Sequence, residues 1–311
     1  MQQTKPELSR RAFLASLAGL GAAASLGSGP ASAETGPMLT RAIPSTGERV
    51  PVIGMGSWIT FNVGEDKELR EHRVKVLQTF FDRGGGVIDS SPMYGSSEEV
   101  IGYCLERIPN TRSLFSATKV WTWLKSSGPD QMADSRRLWG VDRFDVMQIH
   151  NLLNWDGHLE TLLEDKAQGR IRYIGITTSH GRRHDAFQKV MAEQPVDFVQ
   201  FTYNILDREA ERRLLPLAAE RGLAVIINRP FRRKELFHMF ERHPLPAWAS
   251  ECGCENWAQF FLKFIVSHPA VTCAIPATSR VDHMRENMGA LYGRLPDQKM
   301  RERMIRYVES L

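Results

Sequence analysis

The chain has 311 residues, with 40 basic and 36 acidic side chains, and 42% of its residues are hydrophobic. This length suits one large domain with a full core. Without the first 33 residues the remaining chain is close to neutral, so its charge gives no reason to expect a nucleic-acid partner.

The N-terminus has the pattern of a bacterial export signal. Arg10 and Arg11 precede a short apolar stretch that begins at Phe13, and the stretch closes with the small residues Ala31 and Ala33. A basic start, an apolar middle and a small-residue end are typical of a cleaved signal. The paired arginines resemble the twin-arginine signal in particular. We therefore expect the twin-arginine export machinery as a partner and the periplasm as the location.

Cleavage of residues 1–33 would leave one domain, residues 34–311. The alternative is a transmembrane anchor, which needs about 20 predominantly apolar residues. The many Gly, Ala and Ser residues of this segment make it a weak span. No later stretch is long and apolar enough to cross a bilayer, so we expect no stable membrane insertion after cleavage.

Strand and helix patterns alternate along the rest of the chain. We predict eight strands, at 52–55, 87–89, 115–119, 146–150, 171–174, 198–201, 223–227 and 271–275. Helical periodicity follows each of the first six and the eighth, for example over 69–81, over 96–108, which begins with a capping-box pattern, and over 281–289. Right-handed crossovers then close the strands into a single-domain TIM (β/α)8 barrel, with an extra helix in the C-terminal tail.

A long polar segment, residues 231–256, follows the seventh predicted strand. Loops at the carboxyl ends of barrel strands overhang the mouth of the barrel, so this segment is a candidate lid. A solvated surface insertion is the alternative, and loop statistics do not separate the two.

Four proton-handling side chains stand at or just beyond predicted strand ends: Asp89, Tyr94, Lys119 and His150. In a barrel these ends share one mouth, which favours an enzyme. Each residue alone has a simpler interpretation: a structural ion pair, a loop aromatic or a buried histidine. Their joint placement favours the functional interpretation.

The chemistry of this set suits protonation of a carbonyl oxygen. A nearby ammonium stabilises a phenolate, so we expect Lys119 to lower the pKa of Tyr94 towards working pH. Asp89 can keep Lys119 charged, and a neutral His150 can donate a hydrogen bond to the substrate oxygen. None of these groups supplies electrons, so a hydride donor must also bind at the mouth.

The cysteines give no metal site. Cys252 and Cys254 are separated by one residue, which is too close for an ordinary zinc knuckle, and no second Cys/His pair has suitable spacing. We predict no bound metal. Whether Cys252 or Cys254 forms a disulfide stays open at this point, since an oxidising compartment permits such a bond without requiring it.

The chain resembles the aldo-keto reductases over nearly all of residues 34–311. The motifs that carry the resemblance are Gly-Met-Gly-Ser-Trp at 54–58, Asp-Ser-Ser-Pro-Met-Tyr-Gly at 89–95, Lys119, Gln-Ile-His-Asn at 148–151, Gln200, Ile-Pro at 275–276 and Glu-Asn at 286–287. The resemblance implies a nicotinamide-dependent reductase of a small carbonyl substrate, an aldehyde or a ketone. Asp89, Tyr94, Lys119 and His150 would be its catalytic residues, with Tyr94 as the general acid.

The resemblance also implies a cofactor site. Its candidate residues are Ser57, Trp58, Asp89, Thr177, Gln200, Arg229, Phe231, Thr278, Ser279, Arg280, His283, Glu286 and Asn287. The chain departs from the family pattern at Thr178, where an Asn is common, and at His283, where many members have an arginine for the 2′-phosphate. Phe231 is the candidate substitute for a stacking aromatic, and Arg280 for the missing arginine. We expect NADP(H), with NAD(H) possible.

Two other functions remain open. The same scaffold, holding its nucleotide without turnover, would act as a sensor or binding module, although the complete set of four reactive residues argues against this. A metal-dependent hydrolase on a barrel is disfavoured, because the sequence has no clustered His/Asp/Glu ligand set.

Overall fold

The computed structural model describes residues 36–181 and 183–311. The predicted export signal lies outside the described residues. The strands are β1 Thr40–Ala42, β2 Arg49–Pro51, β3 Met55–Gly56, β4 Val87–Asp89, β5 Phe115–Val120, β6 Phe144–Ile149, β7 Ile171–Thr177, β8 Phe198–Thr202, β9 Ala224–Asn228 and β10 Cys273–Ala274. The helices are α1 Lys67–Asp82, α2 Ser97–Leu105, α3 Gly128–Trp139, α4 Trp155–Ala167, α5 His184–Glu193, α6 Leu214–Arg221, α7 Glu235–Phe240, α8 Trp257–Val266, α9 Val281–Gly289 and α10 Gln298–Glu309.

Strands β3 to β10 form one parallel sheet in chain order, with helices between them. A parallel bridge between Ile53 and Ala274 joins the two edges of this sheet. The amide of Gly54 donates to the carbonyl of Ala274, and the amide of Ala274 donates to the carbonyl of Val52, each at 2.9 Å. The predicted (β/α)8 barrel is confirmed.

A short antiparallel hairpin, β1 and β2, precedes the barrel and was not predicted from the sequence. Ile43 and Val50 of this hairpin are buried with side chains from the barrel strands, among them Phe115 and Phe198. The hairpin therefore covers apolar side chains of the barrel interior that would otherwise be exposed to water.

The segment after β9 packs part of its side chains against the barrel. It forms the short helix α7 and a 3-10 helix, Ala247–Cys252. Leu236, Phe240 and Ala249 are buried, and the Phe240 ring lies 5.9 Å from the Phe261 ring of α8. Apolar packing thus holds this segment against the barrel.

Two further helix predictions are settled by the structure. The capping box before α2 is wrong, because the Ser96 hydroxyl makes no cap hydrogen bond and instead donates to Asn62 Oδ1 at 3.1 Å. The extra C-terminal helix is confirmed as α10. Its buried Arg301 donates to the hydroxyls of Tyr203 at 2.6 Å and Ser267 at 2.7 Å, which fixes the helix to the barrel. Among the described residues, no helix has the length and apolarity to cross a membrane.

Candidate active site

The barrel brings the four predicted reactive side chains to one place at its mouth. Asp89 ends β4, Lys119 lies near the end of β5, and His150 follows β6 directly. Tyr94 ends a 3-10 turn, Pro92–Tyr94, in the loop after β4. Because parallel strands direct their carboxyl ends to the same side, side chains far apart in sequence become neighbours here.

A buried ion pair forms the centre of the site. Lys119 Nζ lies 2.6 Å from Asp89 Oδ2, and both side chains are almost fully buried. The ammonium also donates to the carbonyl of Ser90 at 2.7 Å. Burial lowers the pKa of Lys119, but Asp89 and Tyr94 outweigh that effect and raise it above its usual value. Lys119 is therefore a cation at neutral pH at the barrel mouth.

Two amides complete the shell around Asp89. Gln148 Nε2 and Gln200 Nε2 donate to Asp89 Oδ1 at 2.8 and 2.9 Å. Gly175 on β7 leaves room for this arrangement, since a Cβ there would lie 2.7 Å from Gln148 Cγ. A buried charge is tolerated only when its hydrogen-bonding capacity is satisfied, and here both carboxylate oxygens are used.

Sequence reasoning assigned no role to Gln148 and expected Gln200 to contact a cofactor. Gln200 Nε2 donates to Asp89 Oδ1 and to Gln148 Oε1, and its contact with a cofactor stays a prediction. The sequence signal that could have indicated Gln148 is the alternation of side chains between the two faces of a strand. Gln148 lies two residues before His150, so both occupy the same face of an otherwise apolar run.

Tyr94 lies directly above the cation. Lys119 Nζ is 5.2 Å from the centroid of the Tyr94 ring, and the two side chains share a hydrogen bond. The pKa of Tyr94 is raised from its usual value, because burial outweighs the lowering effect of Lys119. The expected net decrease is therefore wrong. At neutral pH the phenol is protonated, which is the form that donates a proton.

His150 is held neutral beside Tyr94. Burial, and then the charge of Lys119, lower the pKa of His150 to about 3. Its ring packs edge-on to Tyr94 with centroids 5.7 Å apart, and its Nδ1 lies 2.8 Å from Ser91 Oγ. Ser91 Oγ already accepts from the Met93 amide, so its proton is available for Nδ1. When Ser91 donates to Nδ1 in this way, the neutral ring carries its proton on Nε2.

The cofactor candidates nearest the four reactive residues make hydrogen bonds or ring contacts with other residues of the chain. The Ser57 hydroxyl is buried, and its single proton is shared between the Asp89 carbonyl, at 3.0 Å, and Ser90 Oγ, at 2.8 Å. Thr177 Oγ1 accepts from the Asn151 amide at 2.9 Å. Trp58 is half-buried beneath the guanidinium of Arg233, which lies 4.1 Å from its ring centroid.

The loop after β9 is rich in cations and strained. Arg229, Arg232, Arg233 and Lys234 all have positive φ, between 46° and 77°. Nε of Arg229 is buried and has no hydrogen-bond partner. Phe231 is buried against Phe237, with ring centroids 4.7 Å apart. Phe231 thus packs within the chain, whereas Arg229 retains an unused donor.

The remaining candidates surround the start of α9. The N-cap residue Arg280 makes no side-chain cap, and the Asp282 carboxylate accepts a hydrogen bond from the His283 amide. The Thr278 hydroxyl accepts from the Arg280 amide at 3.1 Å, and Ser279 lies between them. Arg280 is exposed and paired with Asp282, with Nε 3.0 Å from Oδ1. On α9 itself, His283 and Glu286 are exposed and Asn287 is buried.

The described residues contain no group of three or more His, Cys, Asp or Glu side chains placed to hold a metal ion. All four cysteines are buried free thiols: Cys104, Cys252, Cys254 and Cys273. Burial raises the pKa of Cys254 to about 12, so this thiol is not reactive at neutral pH.

Comparison with known protein families agrees with this geometry. The model of the aldo/keto reductase family matches residues 52–304. The chain belongs to the aldo/keto reductase family. It is therefore an NAD(P)-dependent oxidoreductase, as the site's need for a hydride donor requires. The matched range contains all four reactive residues and every cofactor candidate.

Curated relatives are named for the same family, and a solved structure shows the same fold. The chain is 26% identical to methylglyoxal reductase YeaE of Escherichia coli over 78% of this chain and 86% of the relative. It is 25% identical to aldo-keto reductase YhdN of Bacillus subtilis, and that match spans 60% of each chain. An aldo/keto reductase from Klebsiella pneumoniae, solved with NADP and acetate, superposes with a TM-score of 0.72 at 23% identity, covering 84% of this chain and 93% of that one.

The low pKa of His150 gives a prediction about stability. The unfolded chain protonates this histidine near pH 6.5, but the folded protein resists protonation until about pH 3. Below about pH 6.5 the unfolded state therefore binds more protons, and stability decreases as pH falls, by about 1.4 kcal/mol per unit. The His150→Gln variant has no imidazole to protonate on unfolding. Between pH 6.5 and 4.5 the free energy of unfolding should therefore decrease by roughly 2–3 kcal/mol more in the wild type than in the variant.

Urea unfolding at a series of pH values measures this difference. His283→Gln, at an exposed position on α9, is the control for losing a histidine as such. Parallel stability profiles for the wild type and His150→Gln would contradict a buried neutral imidazole.

Proposed function

We propose that the protein reduces an aldehyde or ketone to an alcohol by hydride transfer from NADPH, with Tyr94 as the general acid. The observation that carries this proposal is the placement of the Lys119 ammonium. It bonds to Asp89 on one side and Tyr94 on the other, next to a neutral imidazole.

Tyr94 donates its proton to the carbonyl oxygen as that oxygen gains negative charge. The phenolate left behind lies beside the Lys119 ammonium. Lys119 is already charged, because the Asp89 carboxylate raises its pKa. At a separation of about 4 Å and an effective dielectric of about 20, two such charges attract by about 4 kcal/mol, an upper-range value for this pair. Asp89 acts through Lys119 and is a positioning residue for this step.

His150 orients the carbonyl group. With Nδ1 bonded to Ser91, Nε2–H is free to donate to the same substrate oxygen. A charged imidazolium would compete with Tyr94 as the acid, and the low pKa of His150 prevents this at neutral pH. Trp121, whose ring centroid is 6.5 Å from that of His150, forms an apolar wall on this side.

The chain's own residues fit a nicotinamide dinucleotide, which would supply the hydride when bound. The first turn of α9 offers backbone amides to a phosphate, apart from the His283 amide, which donates to Asp282. The unpartnered Nε of Arg229 and the neighbouring Arg233 and Lys234 add donors and positive charge. Trp58 would lie at the nicotinamide end, together with Ser57 and Thr177.

We prefer NADP(H) over NAD(H). A 2′-phosphate needs a cation, and Arg280 and His283 are both exposed near the start of α9. Arg280 is partly neutralised by Asp282 and histidine is a weaker anion ligand, so NAD(H) is a possible second cofactor. A nucleotide-binding sensor without turnover is the alternative function.

Rates of carbonyl reduction distinguish an active reductase from a nucleotide-binding sensor without turnover. Tyr94→Phe and Lys119→Met should each slow the reduction of methylglyoxal by about 10²–10⁴, because each removes part of the proton-transfer machinery. Methylglyoxal is the first substrate to test because the relative YeaE is named for it. NADPH oxidation followed by absorbance, with NADPH affinity measured by fluorescence, gives both readouts.

Two substitutions away from the site serve as matched controls. Tyr103→Phe removes an exposed hydroxyl bonded to Glu71, and Lys125→Met removes an exposed ammonium paired with Glu160. Both controls should keep wild-type rates. Wild-type turnover no faster than that of Tyr94→Phe, across small aldehydes and ketones, would defeat the enzyme proposal and favour the sensor.

We also propose that the protein is exported to the periplasm by the twin-arginine machinery, with the nucleotide already bound. The support is the sequence pattern around Arg10 and Arg11 and the small residues before Glu34. This route is understood to carry folded proteins, which suits a chain that must bind its nucleotide inside the cell.

Cell fractionation tests export. The wild type should appear in the periplasm with the mass of a chain that begins at Glu34. Native mass spectrometry should detect nucleotide bound to it. Arg10→Lys combined with Arg11→Lys should retain the full-length chain in the cytoplasm. Equal distribution of wild type and variant would overturn the export proposal, and nucleotide-free periplasmic protein would overturn cofactor carriage.

A further inference from the structure

The first turn of α2 contains two buried polar side chains that no step of the proposed reaction uses. Ser97 is fully buried, and only 2% of Glu98 is exposed. They follow Tyr94 by three and four residues, so this helix begins where the turn that carries the phenol ends. Burying a carboxylate is costly unless hydrogen bonds or a partner charge satisfy it. The contacts of these two residues therefore indicate what they do.

Ser97 holds the turn that carries Tyr94. Its hydroxyl donates to the Tyr94 carbonyl at 2.8 Å, and the carbonyl of Ser57 lies farther from the same hydroxyl, at 3.4 Å. The Tyr94 amide donates to the Ser91 carbonyl at 2.9 Å. Both backbone polar groups of Tyr94 are thus bonded, and the position of its backbone is fixed relative to the start of α2.

Glu98 links α2 to the strand that carries the ammonium. Its Oε1 accepts a hydrogen bond from Thr118 Oγ1 at 2.5 Å, and Thr118 directly precedes Lys119 on β5. Successive residues of a strand face opposite sides of the sheet. Lys119 therefore faces the barrel interior, where it pairs with Asp89, and Thr118 faces the surrounding helices. Glu98 thus binds β5 from outside the barrel, next to the cation.

Helix α3 holds Glu98 from a second direction. Ser135 Oγ donates to Glu98 Oε2 at 2.9 Å, and Trp139 Nε1 donates to Oε1 at 3.2 Å. The two helices are in close contact, since a Cβ at Gly102 of α2 would lie 1.8 Å from the Leu138 carbonyl oxygen of α3. Packing this tight leaves α2 little room to shift. The carboxylate therefore joins α2, α3 and β5 at one point.

We propose that Ser97 and Glu98 are positioning residues, which fix the distance between the phenol of Tyr94 and the ammonium below it. Ser97 holds the Tyr94 carbonyl. Its neighbour Glu98 holds Thr118, the residue before Lys119. This inference rests on the proposed role of Tyr94 as the general acid. The attraction between phenolate and ammonium varies inversely with their separation, so an increase from about 4 to about 6 Å would reduce it by about one third.

Titration of Tyr94 tests the proposal. The difference in Tyr94 pKa between a protein and the same protein with Lys119→Met measures how strongly the ammonium acts on the phenol. Ser97→Ala removes the bond to the Tyr94 carbonyl, and Thr118→Val removes the bond from β5 to Glu98. In both backgrounds this pKa difference should be smaller than in the wild type, by about a third or more. Ultraviolet difference titration, with Tyr94→Phe in each background as the reference, gives the values.

Ser116→Ala is the matched control. Ser116 is also buried on β5, but its hydroxyl donates to Asp145 at 3.1 Å, toward the other end of the strand. This variant loses one buried hydrogen bond without touching α2, and it should keep the wild-type pKa difference. An unchanged difference in both Ser97→Ala and Thr118→Val would overturn the proposal, as would an equal decrease in Ser116→Ala. A decrease in only one of the two test variants would support that link and overturn the other.

Turnover gives a second measurement. Misplacement of an acid by about 1 Å can slow a reaction by about 10²-fold, so Ser97→Ala should lower kcat for methylglyoxal by about tenfold to a hundredfold. The KM for NADPH should stay within about twofold of wild type, because the lost bond acts on the acid. A wild-type kcat in Ser97→Ala would contradict the positioning role. If the wild type reduces no carbonyl compound, the proposed function fails, and the titration, which needs no turnover, then judges the positioning by itself.

Discussion

The ion pair between Asp89 and Lys119 is the interaction on which the site depends. Removing two charges from water is costly, and a buried pair is tolerated only with good geometry and further hydrogen bonds. The barrel meets this requirement with amides from Gln148 and Gln200 and with the Ser90 carbonyl. The result is a fixed positive charge beneath Tyr94. This charge adds to the burial that lowers the pKa of His150, and it opposes the burial that raises the pKa of Tyr94.

Backbone strain has a consistent location in this molecule. Within residues 36–181 and 183–311, every non-glycine residue with positive φ follows the carboxyl end of a barrel strand. They are Ile59, Asn151, Leu152, Asn154, His180, Arg183, Arg229, Arg232, Arg233 and Lys234. The strands and helices supply the stability, and the mouth loops adopt costly conformations that place side chains around the reacting centre. The closed barrel and its buried hairpin are what make this strain tolerable.

The sequence was most informative where structure repeats. Alternating strand and helix periodicity predicted the barrel, and strand ends predicted which reactive side chains meet. Hairpin strands of three residues, such as β1, are too short to give a periodic signal. The Ser96 cap failed because Asn62, a residue distant in sequence, competes for its hydroxyl.

Details that depend on three-dimensional neighbours could not be predicted. The net direction of the Tyr94 pKa depends on how much burial opposes one nearby charge, and burial is a property of the folded chain. The bond from Gln200 to Asp89, 111 residues away in sequence, has no local signature and was not predicted. Phe231 packs on Phe237 because the segment after β9 folds into a helix that its polar composition concealed.

The most direct test of the central ion pair is the ionisation of Tyr94 itself. Ultraviolet difference titration of the wild type and of Lys119→Met, each compared with the corresponding protein that also carries Tyr94→Phe, isolates this one phenol. The pKa of Tyr94 should be higher without Lys119, because the ammonium is the group that favours phenolate. An unchanged or lower pKa in Lys119→Met would contradict it.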